Sequence, residues 1–456
     1  MTTPQTKIVA IVGGGIAGLA AGHHLLKARP DWDVRLFEKE AAAGGKIQTS
    51  QHEGYTFDWG PNGFLTNVTE TLELAKELGL EQKLQRASPA AKHRYLYKNG
   101  KLIPLPSSPP AFIKTELLSV KGKLRAALEL MRGRRVDTEE TVYAFLARHF
   151  GRELAEVFAD AAVSGITAGD PKQLSLDALF PRFRALEREH GSLLKGMIKA
   201  QQQAKNNPRP DGRLTSFEGG IGTLIGALEK KLAPHLNLNT EVKSLKSNKE
   251  GYELELSTGE IFRTDKVLLA TPAFVSGRLL GPLYPEAARA LNKISYAYVS
   301  VFGLGYDRID IPRPLDGFGF LVPRGEGLDS LGVLWSSSIF PGQAPEGKVM
   351  LRVICGGVQE PDFINLSEDE ALERVRRDLR LSMGITAEPE FYEYIRWPKG
   401  IPQYLLGHRQ RVEKVRETLA PSLAIVGNAY DGVGVNDAVR SANLGVARLV
   451  NHGTET

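Results

Sequence analysis

Hydrophobic positions near the start of the chain form two short apolar runs with a helical pattern between them. Ile8 to Val12 is apolar throughout, and Val34 to Phe37 is apolar apart from one arginine; both lengths are typical of buried strands. Leu19 to Leu26 has the composition of a helix that packs on a sheet. The pattern therefore predicts a strand, a helix and a second strand in this order.

A glycine-rich turn, Gly13-Gly14-Gly15-Ile16-Ala17-Gly18, joins the first strand to the helix. Gly13 permits a tight turn, Gly15 lets the backbone approach a pyrophosphate, and Gly18 lets the helix lie close to the strand. Glu38 ends the second strand at a distance along the chain where an acidic side chain can bind a ribose hydroxyl. The set predicts a dinucleotide site whose phosphates face the helix N-terminus.

A second glycine turn, Ala43-Gly44-Gly45-Lys46, follows the acidic strand end directly. This position suits FAD better than NAD, because the turn can hold the chain close to the ribityl and phosphate portion of an extended flavin, where Lys46 adds a cation. Gly-Gly pairs are also common in ordinary loops between strands, and that alternative stays open for this turn taken alone.

A third glycine-rich loop lies far along the chain, in residues 427–437. It follows the apolar run Leu423 to Val426 and precedes a helix that runs to Val450 and begins at a cap, either Asn436 or Asp437. A helix N-terminus aimed at a flavin stabilises the negative charge that the ring gains on reduction. We therefore expect this loop to contact the same cofactor as the first turn.

The remaining pattern divides the chain into α/β, helical and β-rich segments. A helix over Thr69 to Leu78 closes the first α/β part, amphipathic helices follow, and a polar linker covers Gln201 to Gly212. Strand patterns return from Thr240, and a helix around Glu368 to Leu381 follows a β-rich stretch. The predicted domains are 1–91, 209–271 and 393–456 for cofactor binding, 92–208 for a helical insertion and 272–392 for a β-rich substrate domain.

Composition sets limits on this organisation. The 456 residues, 42% of them hydrophobic, exceed what one compact core holds, so two or three domains are expected. Lys and Arg number 58 against 53 Asp and Glu, and this mild basic excess of +5 indicates no particular partner. A single cysteine, Cys355, rules out an internal disulfide and a thiolate metal cluster, and it is consistent with a reducing compartment.

Several other chemistries lack their sequence signals. The nine histidines show no HxxxH or HExxH spacing, so no protein-bound metal is expected. Neither GxSxG nor a P-loop occurs, and basic runs without interleaved aromatic residues argue against nucleic acid binding. The first residues lack an apolar signal core, and no run approaches the roughly 20 apolar residues of a spanning helix, so neither export nor a membrane crossing is expected.

Together, the motifs resemble those of the protoporphyrinogen oxidase family, flavoenzymes of haem synthesis with the fold of flavin amine oxidases. The resemblance covers nearly the whole chain and rests on GGGIAGLAAG, GGKIQT, DWGPNGFL, AVSGITAGDPKQLS, FPRFRALEREHGSL, DGFGFLVP, RWPKGIPQYLLGH and GNAYDGVGVNDAVRSA in this order. It implies an FAD oxidase that removes six electrons from a porphyrinogen in three two-electron steps, with oxygen as acceptor and release of hydrogen peroxide. The expected fold class is an α/β FAD-binding Rossmann-type domain with a β-rich α+β substrate domain and an inserted helical membrane-binding domain.

Substrate contacts follow from the same resemblance. Arg94 matches a family arginine that binds a propionate. The branch that prefers coproporphyrinogen often lacks this arginine, so protoporphyrinogen IX is the expected substrate and coproporphyrinogen III the alternative. Walls of the substrate site are matched by Gly165, Leu321, Leu334 and Ile354. Judged without the resemblance, Arg94 is also compatible with a solvated strand edge, and the wall residues with plain core.

Cofactor contacts combine the glycine turns with matched positions. Asn62, in the loop expected to pass over the ring, is assigned a catalytic place beside Arg94; because its amide is no base at neutral pH, we expect it to orient and hydrogen-bond. Trp397 is expected either beside the flavin or packed beneath it. The predicted cofactor-binding residues are Gly13, Gly14, Gly15, Ile16, Ala17, Gly18, Glu38, Lys39, Gly45, Lys46, Gly60, Pro61, Asn62, Gly63, Val242, Trp397, Asn428, Val433, Gly434 and Val435.

A basic run between Leu117 and Arg135 favours contact with an anionic membrane surface, against the alternative of a solvated helix face. Its cations, set among leucines and opposed only by Glu129, are Lys121, Lys123, Arg125, Arg132, Arg134 and Arg135. The resemblance adds a cytoplasmic protein that is peripheral on the cytoplasmic face of the cell membrane, with ferrochelatase and a second copy of the chain as protein partners.

Two rival functions share parts of the pattern. Another flavin oxidase of the same fold, acting on amines or carotenoids, would keep both early glycine turns. A flavin-free protein like the GDP-dissociation inhibitors, which bind lipidated small GTPases, would keep only the first. The colour of the purified protein separates this last class from the oxidases.

Overall fold

The computed structural model describes residues 6–131, 136–206 and 212–451. Strands and helices are numbered in chain order. A parallel sheet lies at the centre of the cofactor-binding part, and its strands are β1 Ile8–Val12, β2 Asp33–Phe37, β10 Leu236–Asn237, β14 Lys266–Leu269 and β20 Leu423–Ile425. They lie in the order β10-β2-β1-β14-β20, so the first and last glycine loops follow strands of the same sheet.

Both faces of this sheet are covered, because alternate side chains of a strand point to opposite sides. Val9 and Ile11 pack into the core of one face, and Ala10 and Val12 into that of the other. The first face carries α1 Ile16–Ala28, α2 Glu70–Glu77, α11 Gly222–Leu232 and α17 Val435–Asn451. The second face carries α12 Ala273–Leu280, α13 Pro285–Asn292, α16 His408–Thr418 and the antiparallel strands β11 Val242–Ser247, β12 Tyr252–Leu256 and β13 Ile261–Thr264.

A mixed sheet of seven strands forms the second large unit. Its strands are β7 His93–Lys98, β8 Lys101–Pro104, β15 Tyr296–Asp307, β16 Gly317–Leu321, β17 Ser330–Trp335, β18 Lys348–Gly356 and β19 Phe391–Pro402. They lie in the order β19-β15-β18-β17-β16-β7-β8, and neighbours are antiparallel except for β16 and β7. One face packs on α15 Glu368–Met383, and α14 Ser336–Ile339 follows β17. The other face turns toward Tyr55 and Phe57 of the cofactor-binding part.

Short strands connect these two units. β3 Thr49–His52 and β4 Tyr55–Asp58 form a hairpin, and β5 Phe64–Leu65, β6 Leu84–Arg86 and β9 Leu214–Phe217 form a small sheet with β9 in the middle. The loop between β4 and β5 contains residues 59–63. It is therefore anchored at both ends by sheet structure.

A helical part lies between β8 and β9. Its helices are α3 Pro109–Lys114, α4 Val120–Ala127, α5 Val142–Phe150, α6 Arg152–Leu154, α7 Asp160–Thr167, α8 Leu176–Leu179, α9 Pro181–His190 and α10 Leu193–Asn206. A π-helical turn, residues 155–159, precedes α7. Buried charges join α5 to α9, where Glu187 binds both Arg148 and Arg184. Within the described ranges, no helix is long and apolar enough to cross a membrane.

The predicted strands and helices agree with the observed elements better than the predicted domain boundaries do. The strand–helix–strand unit at the start and the helix near residue 368 are confirmed by β1, α1, β2 and α15. The segment 92–208, however, includes β7 and β8 of the mixed sheet, and β19 crosses the boundary at residues 392 and 393. Helix α10 also continues through residues 201–206, where a linker was predicted; residues 207–211 lie outside the described ranges.

Candidate functional site

The first glycine turn, residues 13–18, allows α1 to pack closely on the parallel sheet. Gly13 has φ +106°, and its N–H donates to the Phe37 carbonyl oxygen at 2.8 Å. A Cβ at Gly18 would overlap the Gly13 carbonyl oxygen and lie 3.2 Å from the Ala270 Cβ. Helix α1 begins directly after Gly15, and Ile16 and Ala17 lie in its first turn, so unpaired N–H groups collect at the carboxyl edge of the strands.

Glu38 closes this turn from the neighbouring strand. Its carboxylate accepts hydrogen bonds from the Gly14 N–H at 2.6 Å and the Glu40 N–H at 2.9 Å, and the residue is 8% exposed. A carboxylate in this arrangement retains lone pairs for a ribose hydroxyl. Lys39 is exposed and pairs with Glu40 at 2.8 Å, and Val242 is buried at the start of β11. Contacts of Lys39 and Val242 with the nucleotide stay predictions.

The second glycine turn packs directly on the first. The Gly44 N–H donates to the Gly14 carbonyl oxygen at 2.7 Å, and a Cβ at Gly45 would lie 3.4 Å from the Gly15 Cα. A Cβ at Gly15 itself would meet no atom of the described residues within 4 Å. The space in front of Gly15 is therefore open and bounded by backbone, as a pyrophosphate requires.

Lys46 places a cation beside this space. Burial lowers its pKa to about 8, and its ammonium lies 5.6 Å from the ring centroid of Tyr296. Among the described residues, no carboxylate pairs with Lys46, and burial is the only cause of the pKa shift. A half-buried ammonium without a counter-ion is costly, and a phosphate oxygen is the kind of partner that would satisfy it.

The third glycine loop ends at the same edge of the sheet. The Tyr404 hydroxyl donates to the Asn428 carbonyl oxygen at 2.6 Å and accepts from the Gly432 N–H at 2.9 Å. Burial, the largest single influence, would raise the pKa of Asp431, but hydrogen bonds from Arg416 and Ser441 and the charges of Arg416 and Arg440 together lower that pKa. These contacts fix the loop that presents Val433, Gly434 and Val435 at the start of α17.

The predicted cap of this last helix was wrong. Helix α17 begins at Val435, so Asn436 and Asp437 already lie in its first turn. The Asp437 carboxylate accepts from the Gly434 N–H at 3.1 Å. The Asn436 side chain instead makes tertiary contacts: its amide nitrogen donates to the Leu65 carbonyl oxygen at 2.8 Å, and its Oδ1, the acceptor that a cap would need, accepts from the Thr71 N–H at 3.2 Å.

The loop from Gly60 to Gly63 supplies a further unpaired donor. The Asn62 Nδ2 atom is buried and has no hydrogen-bond partner among the described residues. Pro61 precedes it, and a Cβ at Gly63 would lie 2.6 Å from the Thr215 carbonyl oxygen, so the loop is closely packed on β9. The open space at Gly15, the ammonium of Lys46 and the amide of Asn62 fit the phosphate groups and the polar ring edge of FAD.

The predicted wall residues lie together on one face of the mixed sheet, in two rows of cross-strand partners. The first row, across β7, β16, β17 and β18, consists of Arg94, Gly319, Leu334 and Arg352. The second row contains Leu321, Gly332 and Ile354. Helix α7 approaches this face so closely that a Cβ at Gly165 would lie 2.7 Å from the Leu321 Cδ2. The structure therefore brings together all five residues assigned to substrate, and their roles stay predictions.

Arg94 stands at the outer end of the first row. Its side chain is exposed, and its guanidinium lies 4.9 Å from the ring centroid of Phe318. Within the described part of the chain it pairs with no carboxylate. An exposed arginine held over an aromatic ring and lacking a counter-ion is available for a carboxylate ligand.

Arg352 was missed by the sequence analysis. It is 6% exposed, its guanidinium donates to the Gly60 carbonyl oxygen, and burial lowers its pKa to about 10. Trp397, from β19, donates its indole N–H to the Trp59 carbonyl oxygen at 3.0 Å. The available signal was a lone arginine inside the apolar run of β18, a position that a buried strand does not normally give to a charge.

Among the described residues, one group of possible metal ligands lies between α1 and α2, away from the substrate face. His23, His24 and Glu77 place their ligand atoms within 4.8 Å of one another, on α1 and α2. Glu77 is already bound by His23 at 2.8 Å and by Lys27 at 2.6 Å. These contacts join the two helices and account for the arrangement without a metal.

Comparison with known proteins gives a consistent family. The model for flavin containing amine oxidoreductases matches residues 16–450. The chain is 31% identical to coproporphyrinogen III oxidase of Bacillus subtilis (strain 168), over 98% of both chains, and 33% identical to chloroplastic protoporphyrinogen oxidase of Oryza sativa subsp. japonica, over 98% of this chain and 88% of that one. The solved structure of a candidate protoporphyrinogen oxidase from Exiguobacterium sp. 255-15 superimposes with a TM-score of 0.87 at 28% identity, over 98% of this chain and 99% of that one. The chain is therefore an FAD-dependent oxidoreductase that belongs to the flavin containing amine oxidoreductases and, within them, to the protoporphyrinogen oxidase family.

Proposed function

We propose that this enzyme oxidises a porphyrinogen to the corresponding porphyrin, with protoporphyrinogen IX as preferred substrate and oxygen as electron acceptor. The observation that carries the proposal is the face of the mixed sheet, where Leu321, Leu334 and Ile354 form an apolar centre. Arg352 on this face is bound to the Gly60 carbonyl oxygen, and Arg94 at the outer end has no carboxylate partner among the described residues. Protoporphyrinogen IX is large, flat and apolar, with two propionates at one edge. The face thus offers an apolar surface to the body of the substrate and a cation, Arg94, to the edge that carries its propionates.

The chain's residues bind and orient the substrate. Complete oxidation removes six hydrogen atoms from the macrocycle, and three oxygen molecules become three molecules of hydrogen peroxide. FAD, when bound, accepts two electrons in each step and passes them to oxygen. Arg94 holds a propionate by charge-assisted hydrogen bonds, and Leu321, Leu334 and Ile354 exclude water from the macrocycle. Asn62 donates a hydrogen bond rather than moving a proton, because an amide does not titrate near neutral pH.

Coproporphyrinogen III is the alternative substrate, since relatives named for either porphyrinogen are similar to this chain. Arg94 favours protoporphyrinogen IX, through the resemblance of its motif. The test is porphyrin fluorescence from the purified protein in air, with both substrates side by side and a flavin absorbance spectrum of the same sample. Faster oxidation of protoporphyrinogen IX supports the proposal, and a preference for coproporphyrinogen III overturns the substrate assignment. A yellow protein inactive with both would belong to another oxidase of the same fold.

We also propose that α3 and α4 lie on an anionic membrane surface. Val120 and Leu124 are 74% and 64% exposed, and Ile113 and Met131 add further exposed apolar side chains. Lys114 and Lys121 are exposed nearby, and Glu129, the one acid of this run, is fully buried against His149. Apolar side chains flanked by cations are typical of a surface that inserts between lipid headgroups.

The basic run differs from its sequence prediction at one cation. The Arg125 guanidinium donates to the carbonyl oxygens of Arg148 and His149, both at 2.9 Å, so it ties α4 to α5 instead of facing lipid. Arg132, Arg134 and Arg135 lie outside the described residues.

Sedimentation with vesicles of phosphatidylglycerol and phosphatidylcholine tests the membrane proposal. The unmodified enzyme should sediment with these vesicles at physiological salt, and the double variant Val120→Asp, Leu124→Asp should stay in solution. Ile309→Asp is the matched control, because Ile309 is 87% exposed but lies outside α3 and α4. Equal sedimentation of all three proteins would contradict the proposal.

A peripheral location on the cytoplasmic face of the membrane follows as part of the same proposal. There the enzyme would act as a homodimer and pass its porphyrin to ferrochelatase. Light scattering after gel filtration tests the dimer, and co-sedimentation of ferrochelatase with enzyme-loaded vesicles tests the transfer partner. A monomer over the micromolar range, or ferrochelatase that stays in the supernatant, would overturn the respective assignment.

A further inference from the structure

The loop between β4 and β5, residues 59–63, has two consecutive carbonyl groups that accept hydrogen bonds from side chains of the mixed sheet. The Trp59 carbonyl oxygen accepts the Trp397 indole N–H at 3.0 Å, and the Gly60 carbonyl oxygen accepts from the Arg352 guanidinium. The two donors come from different strands, β19 and β18. On its other side, the loop is so close to Lys46 that a Cβ at Gly60 would overlap the Lys46 carbonyl oxygen. Residues 59 and 60 are therefore held between the second glycine turn, which contains Lys46, and the mixed sheet. The two hydrogen bonds from Trp397 and Arg352 are called the clamp below.

Stability alone does not account for Arg352. Its Nε has no hydrogen-bond partner among the described residues, and no carboxylate there lies close enough for an ion pair. Asp58 is the charge that acts on it through space, but one oxygen of Asp58 accepts from Thr49 and Ile221, and the other has no hydrogen-bond partner in the described part of the chain. A buried guanidinium with such incomplete partners costs stability relative to an apolar side chain of the same volume.

The neighbours of Arg352 indicate what the clamp connects. Leu334 lies directly opposite it on β17, and Ile354 lies two residues further along the same strand and therefore on the same face. Both are predicted substrate walls. On the other side of the clamp, Asn62 follows Gly60 by two residues and presents its unpaired amide. Arg352 is thus the direct link between the wall and the loop.

We propose that Arg352 is a positioning residue: it fixes the Asn62 loop against the substrate wall and so sets the distance between the flavin and the porphyrinogen. Trp397 is the second point of the same clamp. The porphyrinogen in this statement rests on the proposed function, whereas the fixed loop beside the flavin does not. Misplacement of reacting groups by a fraction of an ångström to about 1 Å lowers rates by up to about 100-fold without a matching loss of binding.

The test uses Arg352→Met and Arg352→Lys in the FAD-loaded enzyme. Arg352→Met should slow flavin reduction by the porphyrinogen about 10- to 100-fold and leave the Michaelis constant within about twofold. The visible circular dichroism of the flavin should change, and iodide should quench its fluorescence more, because the loop that is expected to pass over the ring would no longer be held in place. Arg352→Lys should recover part of each effect, since an ammonium can also donate to the Gly60 carbonyl oxygen.

Matched controls separate positioning from general stability. Arg448 also donates to two backbone carbonyls, of Leu419 and Ala420, and its Nε has no partner within the described ranges, but it lies near the end of α17. Trp335 is buried on the opposite face of the mixed sheet. Arg448→Met and Trp335→Phe should lower the melting temperature yet leave the flavin dichroism, iodide quenching and reduction rate unchanged.

Three outcomes overturn the inference. In the first, Arg352→Met lowers the melting temperature but leaves the flavin dichroism, iodide quenching and reduction rate unchanged, as is expected of Arg448→Met. In the second, the Michaelis constant rises as much as the reduction rate falls. If Arg352→Met does not fold, Trp397→Phe is the deciding variant, because it removes the other hydrogen bond to the same loop and should shift the flavin dichroism. An unchanged spectrum of Trp397→Phe is the third contradicting outcome. If the unmodified enzyme oxidises neither porphyrinogen, the proposed function fails, while dichroism and quenching still test the clamp.

Discussion

The cofactor edge and the substrate face of this enzyme are built on different physical principles. At the cofactor edge the contacts are made by backbone: the turns around Gly15 and Gly44 touch each other directly, and a Cβ at Gly18 or Gly44 would collide with backbone. On the substrate face, side chains from Arg94 to Arg352 are aligned only by strand register, over a large separation in sequence. A single added methyl group at the cofactor edge should therefore disrupt folding or FAD binding through steric overlap. A substitution on the substrate face should instead weaken substrate binding by the contribution of one contact.

The largest effect is expected at Gly18, where the edge has no space at all. Gly18→Ala places a Cβ on the Gly13 carbonyl oxygen, which belongs to backbone and cannot rotate away. We expect the apoprotein to lose about 3 kcal/mol or more of unfolding free energy and the purified protein to be colourless. Denaturant unfolding and flavin absorbance measure the two effects.

Gly22→Ala on the same helix is the control for this change. A Cβ there would lie 3.5 Å from the Leu232 Cδ1, an ordinary contact, and alanine also favours a helix. The variant should be as stable as the unmodified protein. Equal stability of Gly18→Ala and Gly22→Ala would contradict the steric account of the edge.

Gly15→Ala should separate cofactor binding from folding at the same edge. The added Cβ meets no atom within 4 Å in the part of the chain that the structure describes, and Gly15 has φ −69°, which alanine adopts freely. The unfolding free energy of the apoprotein should change by less than about 0.5 kcal/mol. FAD should bind about 10- to 100-fold more weakly, because the methyl group occupies the space for the pyrophosphate and weakens charge-assisted hydrogen bonds. Flavin titration of the apoprotein measures the affinity, and unchanged binding would place the pyrophosphate elsewhere.

Arg94→Ala tests the substrate face through one contact. Loss of a charge-assisted pair to a propionate should raise the Michaelis constant about tenfold, and turnover should change by less than about twofold. Steady-state porphyrin fluorescence measures both quantities. Arg313→Ala is the control, since Arg313 lies over Tyr95 and Trp335, whose side chains belong to the opposite face. An unchanged Michaelis constant for Arg94→Ala would refute the anchoring role.

The smallest effect is a pH dependence of FAD binding at Lys46. Its pKa is lowered from 10.5 to about 8 in the apoprotein, so Lys46 is charged below pH 8 and increasingly neutral above it. An anionic phosphate favours the charged form, and FAD affinity should therefore fall as pH rises above 8, by up to about tenfold per pH unit. For the same reason, the unfolded chain binds more protons than the apoprotein between pH 8 and 10.5, and apoprotein stability should rise across that window.

Two substitutions at Lys46 sharpen this test. Lys46→Arg keeps its charge at all these pH values and should bind FAD with little dependence on pH in this range. Lys46→Met should remove the same dependence and also weaken binding at pH 7. Isothermal titration calorimetry between pH 7 and 9.5 measures the FAD affinity of each protein. If the affinity of Lys46→Met still depends on pH in this range, the titrating group is a residue other than Lys46.

Prediction from sequence succeeded where structure is local and failed where it depends on distant partners. β1, α1 and β2 follow from apolar runs around a glycine turn, and their predicted order is confirmed. The boundary at residue 92 was displaced because β7 pairs with β16, more than two hundred residues later. The cap of α17 was misplaced because the Oδ1 of Asn436, the acceptor that a cap requires, binds the distant Thr71 N–H instead of its own helix.

The sequence by itself determined the family, the cofactor and the glycine turns, because these depend on short motifs whose geometry is set by residues next to one another. It also marked Arg94, through the resemblance of its motif. Only the tertiary structure decided that Arg94, Leu334 and Arg352 share one row, and that Arg352 binds the Gly60 carbonyl oxygen. The physical reason is register: a shift of one residue in strand pairing moves a side chain to the opposite face of the sheet, and local sequence does not fix that register.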